Sequence, residues 1–358
     1  MRIASIEFRK LRIKLSGTFK VAFGEINYLD NVLVKITTDD GTIGYGEAAP
    51  LVFVTGETVE SIFAVLEILR PLLIGQNPLA VDSIHAKMNS VLHGNSSARC
   101  AIDLALYDIH GKALGKPVYQ VLGGGDGVVM NDITIGIDDP EEMARSAKYY
   151  VDEKGFRILK IKVGLNPNED IRAIRLIREK VGYKVHLRVD ANQGYSVSEA
   201  VGILEPFREL GVEAIEQCLP DWDLEGAAHV RSKARGIQLM LDESIHGPHD
   251  AARACKLGAA DILNIKLMKC GGLYPAEQIN AVAAANGVKC MVGCMIETRL
   301  SLTAGLSFVA AKSNVTEADC DSFMYYDDTQ TGVTGGFTSE GSVFRLSDAP
   351  GFGVEVDF

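Results

Sequence analysis

The sequence predicts an α/β fold in which eight short parallel strands close into a (β/α)8-type barrel behind an N-terminal α+β unit. Beyond Gly127, strand-like and helix-like stretches alternate. The strands are short and apolar, and amphipathic stretches such as Asn168–Gly182 and Pro275–Gly287 separate them. That pattern calls for parallel pairing through crossover helices. A polar residue also recurs near the end of each strand at nearly constant spacing. An open doubly wound sheet is the alternative, but no GxGxxG opens the first βα turn.

The N-terminus, MRIASIEFRKLRIKL, alternates apolar and charged residues and reads as a strand rather than a signal peptide. Residues Asn31–Ala48 form a hairpin turning at Asp40-Gly41. One helix starts near Glu57. A second covers Ser97–Gly115, with Ile102, Ala105, Leu106 and Ile109 at helical spacing and Gly115-Lys116-Pro117 as its stop. The run Leu122–Gly127, LGGGDG, lacks a following helix or GK[ST] and reads as a linker. The barrel strands are then expected in DITIGI, RILKIKV, VHLRVD, EAIEQ, IQLMLDE, DILNIKL, VKCMVGC and ADCDS. The final GSVFRLSDAPGFGVEVDF should pack back on the N-terminal unit. Three segments follow: residues 1–125, 126–328 and 329–358.

Composition narrows the function. The 358 residues carry 36 Lys+Arg against 47 Asp+Glu, a net charge of −11. Nucleic acid demands a basic face, so it is not an expected partner. No apolar run approaches the roughly 18 residues of a membrane span, so a cytoplasmic protein without a membrane partner is expected. The seven cysteines are odd in number and lack paired CxxC spacing, which suits reduced thiols.

In RILKIKV, period-2 geometry puts Lys160 and Lys162 on one strand face and Leu159, Ile161 and Val163 on the other. Asp190, Glu216 and Asp242 end the next three strands, Lys266 lies on the sixth, and Asp319 and Asp321 on the eighth. The intervals from Lys162 through Asp190, Glu216 and Asp242 to Lys266 are 28, 26, 26 and 24 residues, one βα unit each. A barrel gathers such groups at its C-terminal mouth. Three carboxylates together need a cation, and an all-oxygen set suits Mg2+, with Mn2+ next. Lysines beside that cation are expected to have depressed pKa values and to serve as general bases. The chemistry is proton abstraction next to a carboxylate, giving an enediolate. Bases on opposite walls then invert the carbon.

These residues resemble the enolase superfamily in its muconate-lactonizing subgroup, and within it the dipeptide epimerases. The KIK strand, DAN, IEQ, DES, NIKLMK, MIET and the Asp319-Cys320-Asp321 pair carry the resemblance. It implies a modified TIM barrel, (β/α)7β, with an N-terminal α+β capping domain completed by the C-terminal tail. It also implies Lys162 and Lys266 as acid/base residues and Asp190, Glu216 and Asp242 as Mg2+ ligands. Lys160 would lie beside the substrate carboxylate, and Asp319 and Asp321 would hold the ammonium of a dipeptide. Thr134 and Cys294 match lining positions, and Glu297 is expected to orient Lys266. A homo-oligomer is expected.

Two departures bear on specificity. The family reads EQP after the fourth strand, whereas this chain has EQCLP. Epimerases acting on Ala-Glu carry Arg where this chain has Gly24. Glycine cannot pair an acidic side chain, so an apolar or neutral one is expected, beneath a lid of Phe19, Phe23 and Phe53; Glu25 would instead favour a cation. N-acylamino acid racemisation, o-succinylbenzoate synthesis or another cycloisomerisation, and metal-dependent binding without catalysis are the competing readings.

Overall fold

A computed structural model describes residues 1–21 and 24–358. Phe23 lies outside the described residues, as does the side chain of Phe19.

The N-terminal unit is a three-stranded antiparallel sheet of β1 (Ile3–Val21), β2 (Gly24–Thr38) and β3 (Ile43–Ala48). The alternation in the first strand buries Ile6, Leu11, Ile13 and Leu15. The Asp40-Gly41 hairpin forms as expected, with Gly41 at φ 85°. Helices α1 (Val52–Thr55), α2 (Val59–Leu73), α3 (Val81–Val91), α4 (Ser96–Leu114) and α5 (Val118–Val121) follow. The α4 helix lies directly on β3. A Cβ at Gly44 or Gly46 would run into the carbonyl oxygens of Ala105 and Ala101, so only glycine permits this approach. Glu57 caps α4, accepting from Ser97 N at 3.0 Å and Ser97 Oγ at 2.7 Å. Its C-terminus stops at left-handed Gly115, as the Gly-Lys-Pro signal predicts.

After β4 (Val128–Met130), the barrel runs β5 (Ile133–Ile135), α6 (Pro140–Asp152), β6 (Ile158–Lys162), α7 (Pro167–Val181), β7 (His186–Asp190) and α8 (Val197–Glu209). It continues β8 (Val212–Glu216), α9 (Leu224–Lys233), β9 (Gln238–Leu241), α10 (Pro248–Leu257) and β10 (Ile262–Lys266). A short α11 (Leu267–Cys270) precedes α12 (Leu273–Ala285), β11 (Lys289–Gly293), α13 (Arg299–Ala311) and β12 (Val315–Asp319). The eight strands from β5 to β12 neighbour one another in chain order, all parallel. This is the (β/α)7β form. At the seam Asp132 N donates to Ala318 O at 3.2 Å and Asn131 Oδ1 accepts from Cys320 N at 2.8 Å. The eighth strand begins earlier than the ADCDS reading places it, which leaves Asp321 in the turn beyond. Its polar start, Thr316-Glu317, hides the alternation.

The tail divides its contacts. β13 (Val333–Gly335) pairs with the last strand, β16 (Val354–Val356), while β14 (Phe337–Glu340) pairs with β15 (Val343–Leu346) and β15 with β4, just ahead of the barrel, a placement the sequence does not suggest. Its end returns to the N-terminal unit. Phe352 N donates to Asp108 Oδ1 at 2.9 Å, and the Phe358 ring lies 6.3 Å from Tyr45. All seven cysteines are free thiols. Among the described residues, no helix is long and apolar enough to cross a membrane.

Candidate active site

The alternation of β6 turns Leu159 and Ile161 outward to the helices and both lysines inward, Lys160 being 2% exposed and Lys162 6%. The same inward rule brings Asp190, Glu216 and Asp242 together. One carboxylate oxygen from each lies within 4.8 Å of the others, and all three side chains are buried. Lys162 is on β6 and Lys266 on β10, four places apart in a ring of eight. They therefore face each other across the barrel with the acids between them. A cleft opens above, and both lysines line it.

Each ammonium meets carboxylate. Lys160 Nζ lies 2.7 Å from Asp319, 2.8 Å from Glu216 and 3.1 Å from Asp190. Lys162 Nζ lies 2.7 Å from Asp190 and donates to Asn192 Oδ1 at 2.9 Å. Lys266 Nζ lies 2.7 Å from Asp242. Burial alone would lower the pKa of Lys160 and Lys266. The surrounding acids outweigh it, Asp319 and Glu216 for Lys160 and Asp242 for Lys266, and both ammonium groups sit above the usual lysine range. The depressed lysine pKa values expected from the sequence belong to the site with a cation on these same carboxylates. Glu216 is pushed up to about 7 by burial and by Asp190. Asp242 goes the other way: burial is overcome by Lys266, Lys269 and Lys160, and it stays far below the carboxylate range.

Several members were missed in the sequence. Lys269, buried at 2% exposure, lies 2.5 Å from Asp242 Oδ1. Asn264 donates to Glu216 Oε1 at 2.6 Å, and Asn192 to Glu243 Oε1 at 3.0 Å. Burial and Asp242 push Glu243 up to about 8. Lys269 and Glu243 stand inside NIKLMK and DES, so the motifs contained them. The EQCLP turn is held by Gln217 at φ 33°, whose Oε1 accepts from Asp242 N at 2.9 Å.

Opposite the acid triad, Thr134 joins Asp319, which ends the last barrel strand, and Asp321 in the turn after it. Its N donates to Asp321 at 2.6 Å and its Oγ1 to Asp319 at 3.2 Å. Tyr325 Oη also donates to Asp321 at 2.6 Å. Burial tends to raise Asp319, but Lys160 outweighs it and holds this acid well below the usual range. Burial and Asp319 push Asp321 up to about 6. A third acid, Asp132, completes this cluster and pairs with Arg188 at 2.7 Å.

Two expected residues, Glu297 and Phe53, sit differently from their reading. Glu297 is not hydrogen-bonded to Lys266; it accepts from Met295 N at 2.8 Å and so folds the loop after β11. Phe53 is 57% exposed, with its ring 3.3 Å from where a Cβ on Gly24 would stand. Among the described residues, the N-terminal unit lines the cleft with Ile26, Leu51 and Val54 instead. Cys294 lines it from the barrel, its thiol kept protonated by burial and by Asp319 and Asp321.

Glu297 gives a pH prediction. Burial raises it from 4.5 to about 8. Between those values the folded chain keeps a proton that the unfolded chain releases, so this contribution to stability falls as pH rises. Glu297→Gln cannot release it. Thermal melts should give the variant a Tm like wild type near pH 4.5 and a higher one above pH 8. A wild-type Tm that does not drop relative to the variant contradicts the buried, protonated state.

Residues 142–358 match the family model described as enolase C-terminal domain-like, and residues 5–123 match that of the mandelate racemase / muconate lactonizing enzyme N-terminal domain. The chain is 39% identical to a hydrophobic dipeptide epimerase of Enterococcus faecalis, covering 99% of both. It is 40% identical to an L-Ala-D/L-Glu epimerase of Bacillus subtilis, over 99% of this chain and 97% of that one. It is 37% identical to an N-succinyl-L-Arg/Lys racemase of Bacillus cereus, over 100% and 96%. The Enterococcus faecalis dipeptide epimerase structure with Mg and L-Leu-L-Tyr superposes with a TM-score of 0.96 over 99% of this chain and 100% of that one.

Proposed function

The chain belongs to the mandelate racemase / muconate lactonizing enzyme family of the enolase superfamily, and from that premise we propose that it is a Mg2+-dependent dipeptide epimerase inverting the α-carbon of the C-terminal residue. The observation that carries the reading is the pair Lys162 and Lys266 on opposite barrel walls, flanking three buried carboxylates. On this reading residues 1–125 cap a catalytic barrel of residues 126–328, and residues 329–358 return to the cap.

The donor set fits the metal. Asp190, Glu216 and Asp242 offer only oxygen, converge within 4.8 Å and sit on neighbouring strands, which suits a hard divalent cation, Mg2+ or Mn2+. When bound, that cation supplies positive charge beside the substrate carboxylate and draws on the acids that hold the lysine protons.

The chain's own groups do the rest. One lysine, as the free amine, takes the α-proton from its side. The other, as ammonium, returns a proton to the opposite face, and the two exchange roles with direction. Lys160, touching Asp190, Glu216 and Asp319, is the ammonium nearest the developing enediolate charge. Asp319 and Asp321 accept the dipeptide's α-ammonium through charge-assisted hydrogen bonds, with Thr134 fixing both carboxylates. Cys294 lines the wall. Ile26, Leu51 and Val54 present no charge from the cap, and Gly24 offers none, which supports an apolar or neutral side chain over an acidic one.

The test is a panel of free dipeptides and N-acylamino acids incubated with Mg2+ and resolved by chiral chromatography. Free dipeptides with apolar C-terminal residues should interconvert, and EDTA should stop them. Faster turnover of N-acylamino acids than of any free dipeptide contradicts the reading and favours an N-acylamino acid racemase.

A further inference from the structure

Glu47 is a fully buried carboxylate in the cap, and its hydrogen bonds go to Asn31, Thr298 and Ser301 rather than to the acid triad or the site lysines. It crosses to the barrel. Its Oε1 accepts from Asn31 Nδ2 at 2.7 Å and from Thr298 N at 2.9 Å. Its Oε2 accepts from Thr298 Oγ1 at 2.7 Å and Ser301 N at 3.3 Å. Thr298 is the N-cap of α13, so the carboxylate also faces the positive end of that 13-residue helix. The amide of Asn31 donates a second time, to Ile296 O at 2.9 Å. The cap therefore grips both ends of the segment 296–298.

That segment belongs to the loop that lines the cleft with Cys294, Met295 and Ile296. From its far side, Ser322 Oγ donates to Glu297 O at 3.0 Å and Tyr326 Oη to the same oxygen at 2.8 Å. The cap lines the cleft with Ile26, Leu51 and Val54. Two apolar linings, one from each part of the fold, thus face one cleft, and Glu47 with Asn31 links them.

We propose that Glu47 is a positioning residue that locks the cap to the loop after β11 and so fixes the shape of the side-chain pocket. The chemistry of the link is specific to the charge. Donors surround both oxygens, so a neutral amide in its place turns one NH2 towards other donors. If that NH2 faced Asn31, the Asn31 amide would have to flip, and its oxygen would confront Ile296 O.

The proposal takes its substrate from the dipeptide reading, and the experiment separates the two. Glu47→Gln is compared with Glu57→Gln, which removes an equally buried helix-capping carboxylate that stays within the cap. For the best dipeptide of the panel, Glu47→Gln should raise KM about tenfold or more while kcat stays within about threefold. The preference for large over small apolar side chains should contract. Glu47→Asp, which keeps the charge, should recover part of the KM. Glu57→Gln should lower Tm without changing KM or preference. Amide exchange of residues 295–301 should quicken in Glu47→Gln alone, a readout that needs no substrate. Asn31→Ala, a milder cut of the same link, should raise KM in the same direction if Glu47→Gln folds poorly. A wild type that turns over no dipeptide sinks the functional reading and leaves the amide-exchange test standing. Unchanged KM, preference and amide exchange in Glu47→Gln, or equal changes in Glu57→Gln, overturn the proposal.

Discussion

Lys266→Ala should lower epimerisation by about 10⁴-fold, the upper range for removing a general acid/base. The argument is positional. Lys266 is the ammonium on β10, and its counterpart Lys162 stands four strands away on the opposite wall. Inversion needs both, because a single base can return a proton only to the face it came from. The loss should appear in kcat, since Lys266 is not needed to hold the substrate's ammonium or carboxylate. Asp242 retains Lys269 as a partner in the variant, which limits the damage to the acid triad. Chiral chromatography of the reaction in both directions measures it. Epimerisation within tenfold of wild type would remove Lys266 from the mechanism.

Glu216→Gln should cost about 10³-fold at ordinary Mg2+ concentration. Glu216 is the middle member of the triad, on β8 between Asp190 on β7 and Asp242 after β9. An amide supplies a weaker, uncharged oxygen to a hard cation. It also leaves Lys160 with Asp190 and Asp319 alone. Raising Mg2+ should recover part of the activity if the loss is one of metal affinity. Titration calorimetry with Mn2+ should show weakened binding in the variant. Undiminished binding would mean that the triad is a structural acid cluster.

Much of this site was legible because it follows strand periodicity. Lys160 and Lys162 announce an inward strand face, and the even spacing of Asp190, Glu216, Asp242 and Lys266 announces one barrel mouth. What stayed hidden depends on contacts between distant segments. Glu47 and Thr298 are 251 residues apart, and neither stands out locally. Asp132 and Arg188 meet only when the barrel closes. The ion pairs are hidden for the same reason: each site ammonium lies against an acid from another segment, Lys162 against Asp190 and Lys266 against Asp242. The eighth strand was misplaced because a polar start masks its alternation. The aromatic character of Phe53 suggests a lid, whereas among the described residues the N-terminal unit lines the cleft with Ile26, Leu51 and Val54.

The central claim is a pair of bases acting on opposite faces of one carbon. Proton NMR in D2O with Mg2+ tests it, following the C-terminal α-proton of each diastereomer of one dipeptide with Lys162→Ala and Lys266→Ala. Each variant should exchange that proton in a single diastereomer without inverting it, and the two variants should select opposite diastereomers. Exchange of both diastereomers by either variant, or of the same one by both, would contradict it.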